Sequence, residues 1–101
     1  MTPTRGDIVR RGDTGGYGIV VTNDMLHQVS EVVILCTVVR STSMADSFPH
    51  AIEIAAADQN LYAIPVSVHT APASAITEII GQAEEHQLRD IVRMLHAATS
   101  P

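Results

Sequence analysis

The chain has no lysine and no tryptophan, one cysteine, two tyrosines and one phenylalanine. Each scarcity removes a class of function. A lone Cys36 cannot close an intramolecular disulfide or build a thiolate metal site, and its place in the apolar run Val32-Val33-Ile34-Leu35-Cys36 marks it as a core thiol in a reducing compartment. So few aromatic rings leave little to stack nucleic-acid bases on, and oblige the core to pack with Val, Ile, Leu and Ala. The sequence lacks a charged start followed by an apolar leader, and no apolar run reaches the length that spans a bilayer, so the expected location is the cytoplasm without a membrane partner. The formal charge of −5 argues against a general electrostatic grip on a polyanion. All six cations are arginines, however, and Arg5, Arg10, Arg11 and Arg40 lie in the first 40 residues, where a local basic site can form inside an acidic molecule.

What is present is an apolar fraction of 46% over 101 residues, enough for one hydrophobic core and too short for a second domain. Residues 5–10 form a short opening strand, and Gly12-Asp13-Thr14-Gly15-Gly16 is a turn. Residues 17–22 form a second strand, and Asn23-Asp24 cap a brief helical turn through Met25, Leu26 and His27. The β-branched run over residues 32–39 has the pattern of a central strand buried on both faces.

Residues 40–49 are a loop, residues 51–54 alternate as a half-buried strand, and Asp58-Gln59-Asn60 turns the chain. Residues 62–68 make another strand in which Pro65, with no N–H, demands an edge or a bulge. A short strand over residues 74–80 ends at Gly81. Glu84 and Glu85 then begin a helix with Leu88, Ile91, Val92 and Leu95 on one face. The fold class is mainly β (α+β): a small β-barrel or sheet closed by a C-terminal amphipathic helix.

The glycine cluster at 12–18 lacks the Lys-Ser/Thr ending of a phosphate loop and reads as a hairpin connection. His27, His50, His69, His86 and His96 are too scattered for a ligand set, so no metal is expected. No nucleophile elbow is present. What remains is a polar group at one end of the sheet: Arg10 and Arg11, Thr37, then Arg40, Ser41 and Thr42. Arginine recognises phosphate bidentately and stabilises developing negative charge, while hydroxyls hold phosphate oxygens or an RNA 2′-OH. Those same arginines can instead pair with Asp7 and Asp13, and Ser/Thr runs are common in loops.

The order of these motifs resembles the MazF/PemK toxin family, relatives of the CcdB-type barrel. The matching segments are Arg5-Gly6-Asp7-Ile8-Val9, Ile19-Val20-Val21-Thr22-Asn23-Asp24, the run from Val32 to Thr37, and Ile79-Ile80-Gly81-Gln82-Ala83 with its following acids and helix. The similarity covers nearly all of residues 1–101.

The resemblance implies an SH3-like barrel of the CcdB/PemK type. It also implies a homodimer, an antitoxin partner, and metal-independent and cofactor-free cleavage of single-stranded RNA by 2′-OH attack in a toxin-antitoxin system. Thr37 then carries over as catalytic, with Arg10 and Arg11 to stabilise the phosphorane, and Tyr17, Arg40, Ser41 and Thr42 to contact RNA. The chain departs from the family at Gly16-Tyr17, which replace an Arg-Pro pair whose arginine is catalytic there. It also departs at residues 67–72, where a basic residue is common and this chain has Val68-His69-Thr70-Ala71. These departures keep a second reading open, a non-catalytic member of the same scaffold that binds a protein, as CcdB grips gyrase, or binds RNA without cutting it.

Overall fold

The computed structural model describes residues 3–22, 31–40, 42–48, 51–56 and 59–99. Six strands, β1 (Asp7–Arg11), β2 (Tyr17–Val20), β3 (Val32–Val39), β4 (Ile52–Ala56), β5 (Gln59–Pro72) and β6 (Ile76–Gln82), form one sheet in the order β4-β5-β3-β2-β1-β6. Every pairing is antiparallel. A short helix, α1 (Thr42–Asp46), follows β3, and α2 (Glu85–Thr99) ends the described chain.

The 3₁₀ turn Ala73–Ala75 joins β5 to β6, although these strands stand four places apart in the sheet. A flat sheet would separate them by about 19 Å, while a turn of that length advances only about 8 Å. The sheet must therefore curl. The turn is tied down on both sides, with Gly12 N donating to Ala75 O at 2.8 Å and Ala73 N to Glu31 O at 2.9 Å. Hydrogen bonding does not complete the ring. The barrel expected from the motif order is thus a curled open sheet, with β4 and β6 as its edges.

Alternation along the strands sends two apolar sets to opposite faces. Val9, Val20, Val33, Leu35, Ala71 and Ile76 form one cluster. Ile8, Ile19, Cys36, Val38, Ile54, Leu61 and Ala63 form the other, sealed by Ile91 of α2 with Leu88 beside it. Both sets are buried because the sheet curls on one side and carries the helix on the other. That explains why β3 reads as apolar in both phases of its alternation.

The Arg5-Gly6-Asp7 segment has a structural task. Gly6 adopts φ +94°, which lets Asp7 turn its carboxylate back to accept from Thr4 N at 2.8 Å, and Gln82 Nε2 donates to it at 3.1 Å. Gly18 is held for a different reason. A β-carbon there would meet Leu35 Cβ at 3.0 Å and Cys36 O at 3.3 Å. Gly18→Ala is expected to cost about 1–3 kcal/mol by overpacking, read as a lower urea midpoint with an unchanged slope.

Several boundaries differ from the sequence reading. Residues 40–49 hold α1 where a loop is expected, since Ser and Thr at a helix start serve as readily as in a turn. β5 begins at Gln59, inside the expected turn, and runs to Pro72 because its pairing with β3 and β4 overrides local propensity. The turn through Met25, Leu26 and His27 lies outside the described residues.

Candidate active site

Pro65 is buried and β5 is an interior strand, so the missing N–H is accommodated by a bulge. Cys36 pairs with Val68 but Thr37 pairs with Ile64, leaving Pro65, Val66 and Ser67 as extra residues opposite one step of β3. Ser67 at the end of this bulge and His69, which pairs with Leu35 in the ladder beyond it, both reach Thr37. Its Oγ1 lies 2.8 Å from Ser67 Oγ and 3.4 Å from His69 Nδ1. Burial, followed by the positive charge of Arg11, lowers the pKa of His69 below the ordinary imidazole value of 6.5, so its neutral form prevails at pH 7.

Arg11 shares this face of the sheet, its register partner being Ile76 of the same cluster that holds Val9 and Leu35. Its guanidinium grips Asp13 of the β1–β2 turn, Nε to Oδ1 at 3.0 Å and Nη2 to Oδ2 at 2.6 Å. The bidentate bond raises the pKa of Arg11 and lowers that of Asp13, so both stay charged. Nη1 has no acceptor among the described residues and remains available to an incoming anion.

The other residues singled out from the sequence are distributed differently. Arg10 pairs with Tyr17 in the ladder, and Tyr17 packs against the helix-covered cluster, so both belong to the opposite face. Arg40 stacks there as well, its Cζ 5.4 Å from the Tyr17 ring centroid. Arg10 is exposed and makes no ion pair among the described residues. Thr42 opens α1, and Ser41 lies outside the described residues.

Thr37 and Arg11 are therefore gathered on one face, while Arg10, Tyr17 and Arg40 are gathered on the other, at the same end of the strands. Sequence reasoning missed Ser67 and His69. No local signal marks them, since the register of β5 against β3, which sets His69 opposite Leu35, decides which side chains meet Thr37.

Cys36 stands apart from this chemistry. Its Sγ donates to Ile64 O at 3.1 Å, and burial raises its pKa to about 12, so the thiol is inert at neutral pH.

This curled antiparallel sheet closed over by a C-terminal helix has the fold of the MazF-type toxins. One MazE–MazF complex from Deinococcus radiodurans superposes with a TM-score of 0.83 at 15% identity, covering 97% of this chain and 96% of that one. An endoribonuclease from Mycobacterial species matches at TM-score 0.80 and 15% identity over 100% of this chain and 97% of that one. Another, in complex with its cognate antitoxin, matches at 0.78 and 15% over 95% and 93%. No family model matches the chain, and no curated protein does. Among the described residues no helix is long and apolar enough to cross a membrane.

Proposed function

We propose that this protein is a toxin of a toxin-antitoxin pair that cleaves single-stranded RNA without a metal, the 2′-OH attacking the adjacent phosphate. The observation that carries this reading is Arg11 and Thr37 on one face of a MazF-type fold, with Ser67 and His69 against the threonine. In this reading Thr37 binds a nonbridging phosphate oxygen, and Arg11 neutralises the phosphorane through Nη1 and through donors released from Asp13. An RNA strand crossing this end of the sheet also meets Arg10, Tyr17 and Arg40, a cation and stacking site that tracks a backbone and one base. Ser41 and Thr42 complete the proposed RNA contacts.

A homodimer and an antitoxin partner belong to the same proposal. Val32, Ile34, Val68 and Pro72 alternate along β3 and β5 on one face, with Val32 37% and Val68 38% exposed, and Val66 at the bulge is 49% exposed. An apolar strip of this kind suits a second copy of the chain. The non-catalytic reading is favoured by the Arg11–Asp13 pair, which already satisfies much of the guanidinium that shares a face with the threonine.

The test is incubation of purified protein with long single-stranded RNAs of varied sequence in EDTA, beside Thr37→Ala. Discrete cuts that fall about 10²–10³-fold in the variant support the nuclease. Intact RNA from folded wild type overturns it and leaves the binding-only reading.

A further inference from the structure

We propose that His69 is the proton acceptor of this site, taking the proton of the attacking 2′-hydroxyl, an assignment that rests on the ribonuclease reading above. In sequence His69 is one of five scattered histidines, and only the pairing of β5 with β3, which sets it opposite Leu35, brings it to Thr37. Its Nδ1 lies 3.4 Å from Thr37 Oγ1, and Ser67 Oγ lies 2.8 Å from the same oxygen. When Ser67 donates to Thr37, the threonine proton is free to point at Nδ1, which holds that nitrogen as an acceptor and leaves the ring proton on Nε2. A base must be held in that form before the substrate arrives.

The neighbouring groups do not compete for the role. Arg11 keeps its proton at every physiological pH. Asp13 is committed to Arg11 and its pKa is lowered, which makes it a weak base. Thr37 and Ser67 have no affinity for a further proton near neutrality. Burial and the charge of Arg11 both keep His69 neutral at pH 7, ready to accept one.

The step balances without a further reagent. The 2′-oxygen bonds to phosphorus as its proton passes to the imidazole, and the bond from phosphorus to the 5′-oxygen breaks. The 5′-oxygen takes a proton from water, the imidazolium returns its own to the hydroxide so formed, and the products are a 2′,3′-cyclic phosphate and a 5′-hydroxyl.

The charge that acts on His69 is that of Arg11 from β1, and Asp13 of the turn is bonded to that guanidinium. β3 presents Leu35 and Thr37 on this face, β2 presents Gly18 and Val20, and β5 adds Ser67, none of them ionisable in this range. Removing the Asp13 charge exposes His69 to the full field of Arg11 and lowers its pKa further.

The experiment is the pH profile of kcat/KM on an RNA that the wild type cuts, for wild type, His69→Gln and Asp13→Asn, with each fold checked by circular dichroism. The wild type is expected to lose activity on an acid limb whose midpoint lies below 6.5. His69→Gln is expected to lose about 10²–10⁴-fold in rate and to lose the limb. Asp13→Asn is expected to keep the limb but move it to lower pH.

A folded His69→Gln that cuts at the wild-type rate with the same limb overturns the assignment and leaves the ribonuclease reading standing. If that variant does not fold, an unmoved limb in Asp13→Asn overturns it instead. A wild type that cuts no RNA overturns both.

Discussion

Arg11→Ala is expected to lower RNA cleavage by about 10²–10³-fold through kcat, the cost of removing one preorganised donor to a developing negative charge. Arg10→Ala is expected to change it by no more than about fivefold, through KM, as a solvent-exposed charge does. The two residues are neighbours in sequence and have the same chemistry, so the contrast isolates geometry. Strand alternation puts Arg11 on the face of Thr37, with its side chain only 15% exposed, and turns Arg10 to the Tyr17 face. The measurement is single-turnover cleavage over a range of protein concentrations up to saturation for both variants. Equal losses would show that RNA engages both faces in the chemical step, and a larger loss for Arg10→Ala would move the site across the sheet.

Ile91→Ala carries the largest expected effect on stability, about 2–5 kcal/mol. Ile91 is fully buried among Ile8, Ile19, Ile54 and Leu61, and it is the residue by which α2 enters that cluster. A domain of this size holds only about 5–15 kcal/mol in total, so the loss amounts to a large part of the fold. Arg93→Ala, on the exposed side of the same helix, is expected to stay within about 0.5 kcal/mol. Urea unfolding of the two variants reads the difference directly. Similar midpoints would mean that α2 contributes little beyond covering the sheet.

The Arg11–Asp13 pair connects the two readings of function. It is an anion already seated on the guanidinium that shares a face with Thr37, so a phosphate there takes the remaining Nη1 and reaches Nε and Nη2 only by displacing a carboxylate. Its partner is half exposed, with 46% of the Asp13 side chain open to solvent, which keeps the exchange possible without unfolding the turn.

Much of the architecture was legible along the chain. The β-branched run of β3 announced an interior strand, because a segment buried on both faces cannot afford polar positions in either phase. The spacing of Leu88, Ile91, Val92 and Leu95 announced α2, because 3.6 residues per turn bring those side chains to one stripe. Gly12 to Gly16 announced a hairpin, and Gly15 does take φ +73° there. Pro65 announced a break in the ladder through its missing N–H. These are all local signals, set by one residue or by a short period.

The site was not local. Thr37 was visible as a hydroxyl at the end of an apolar strand, but its neighbours come from β5, some thirty positions away in the chain, as the separations of 30 and 32 residues to Ser67 and His69 record. Which of Arg10 and Arg11 faces Thr37 depends on the phase of β1 in the sheet. A slip of one residue would exchange them, because the side-chain period of a strand is 2. By itself the sequence determined the buried strand, the hairpin and the closing helix, through periodicity and backbone chemistry. Only the tertiary structure decided the three-residue bulge, the curl forced by the short link from β5 to β6, and the face on which each polar side chain stands, because long-range pairing sets register and no local propensity encodes it.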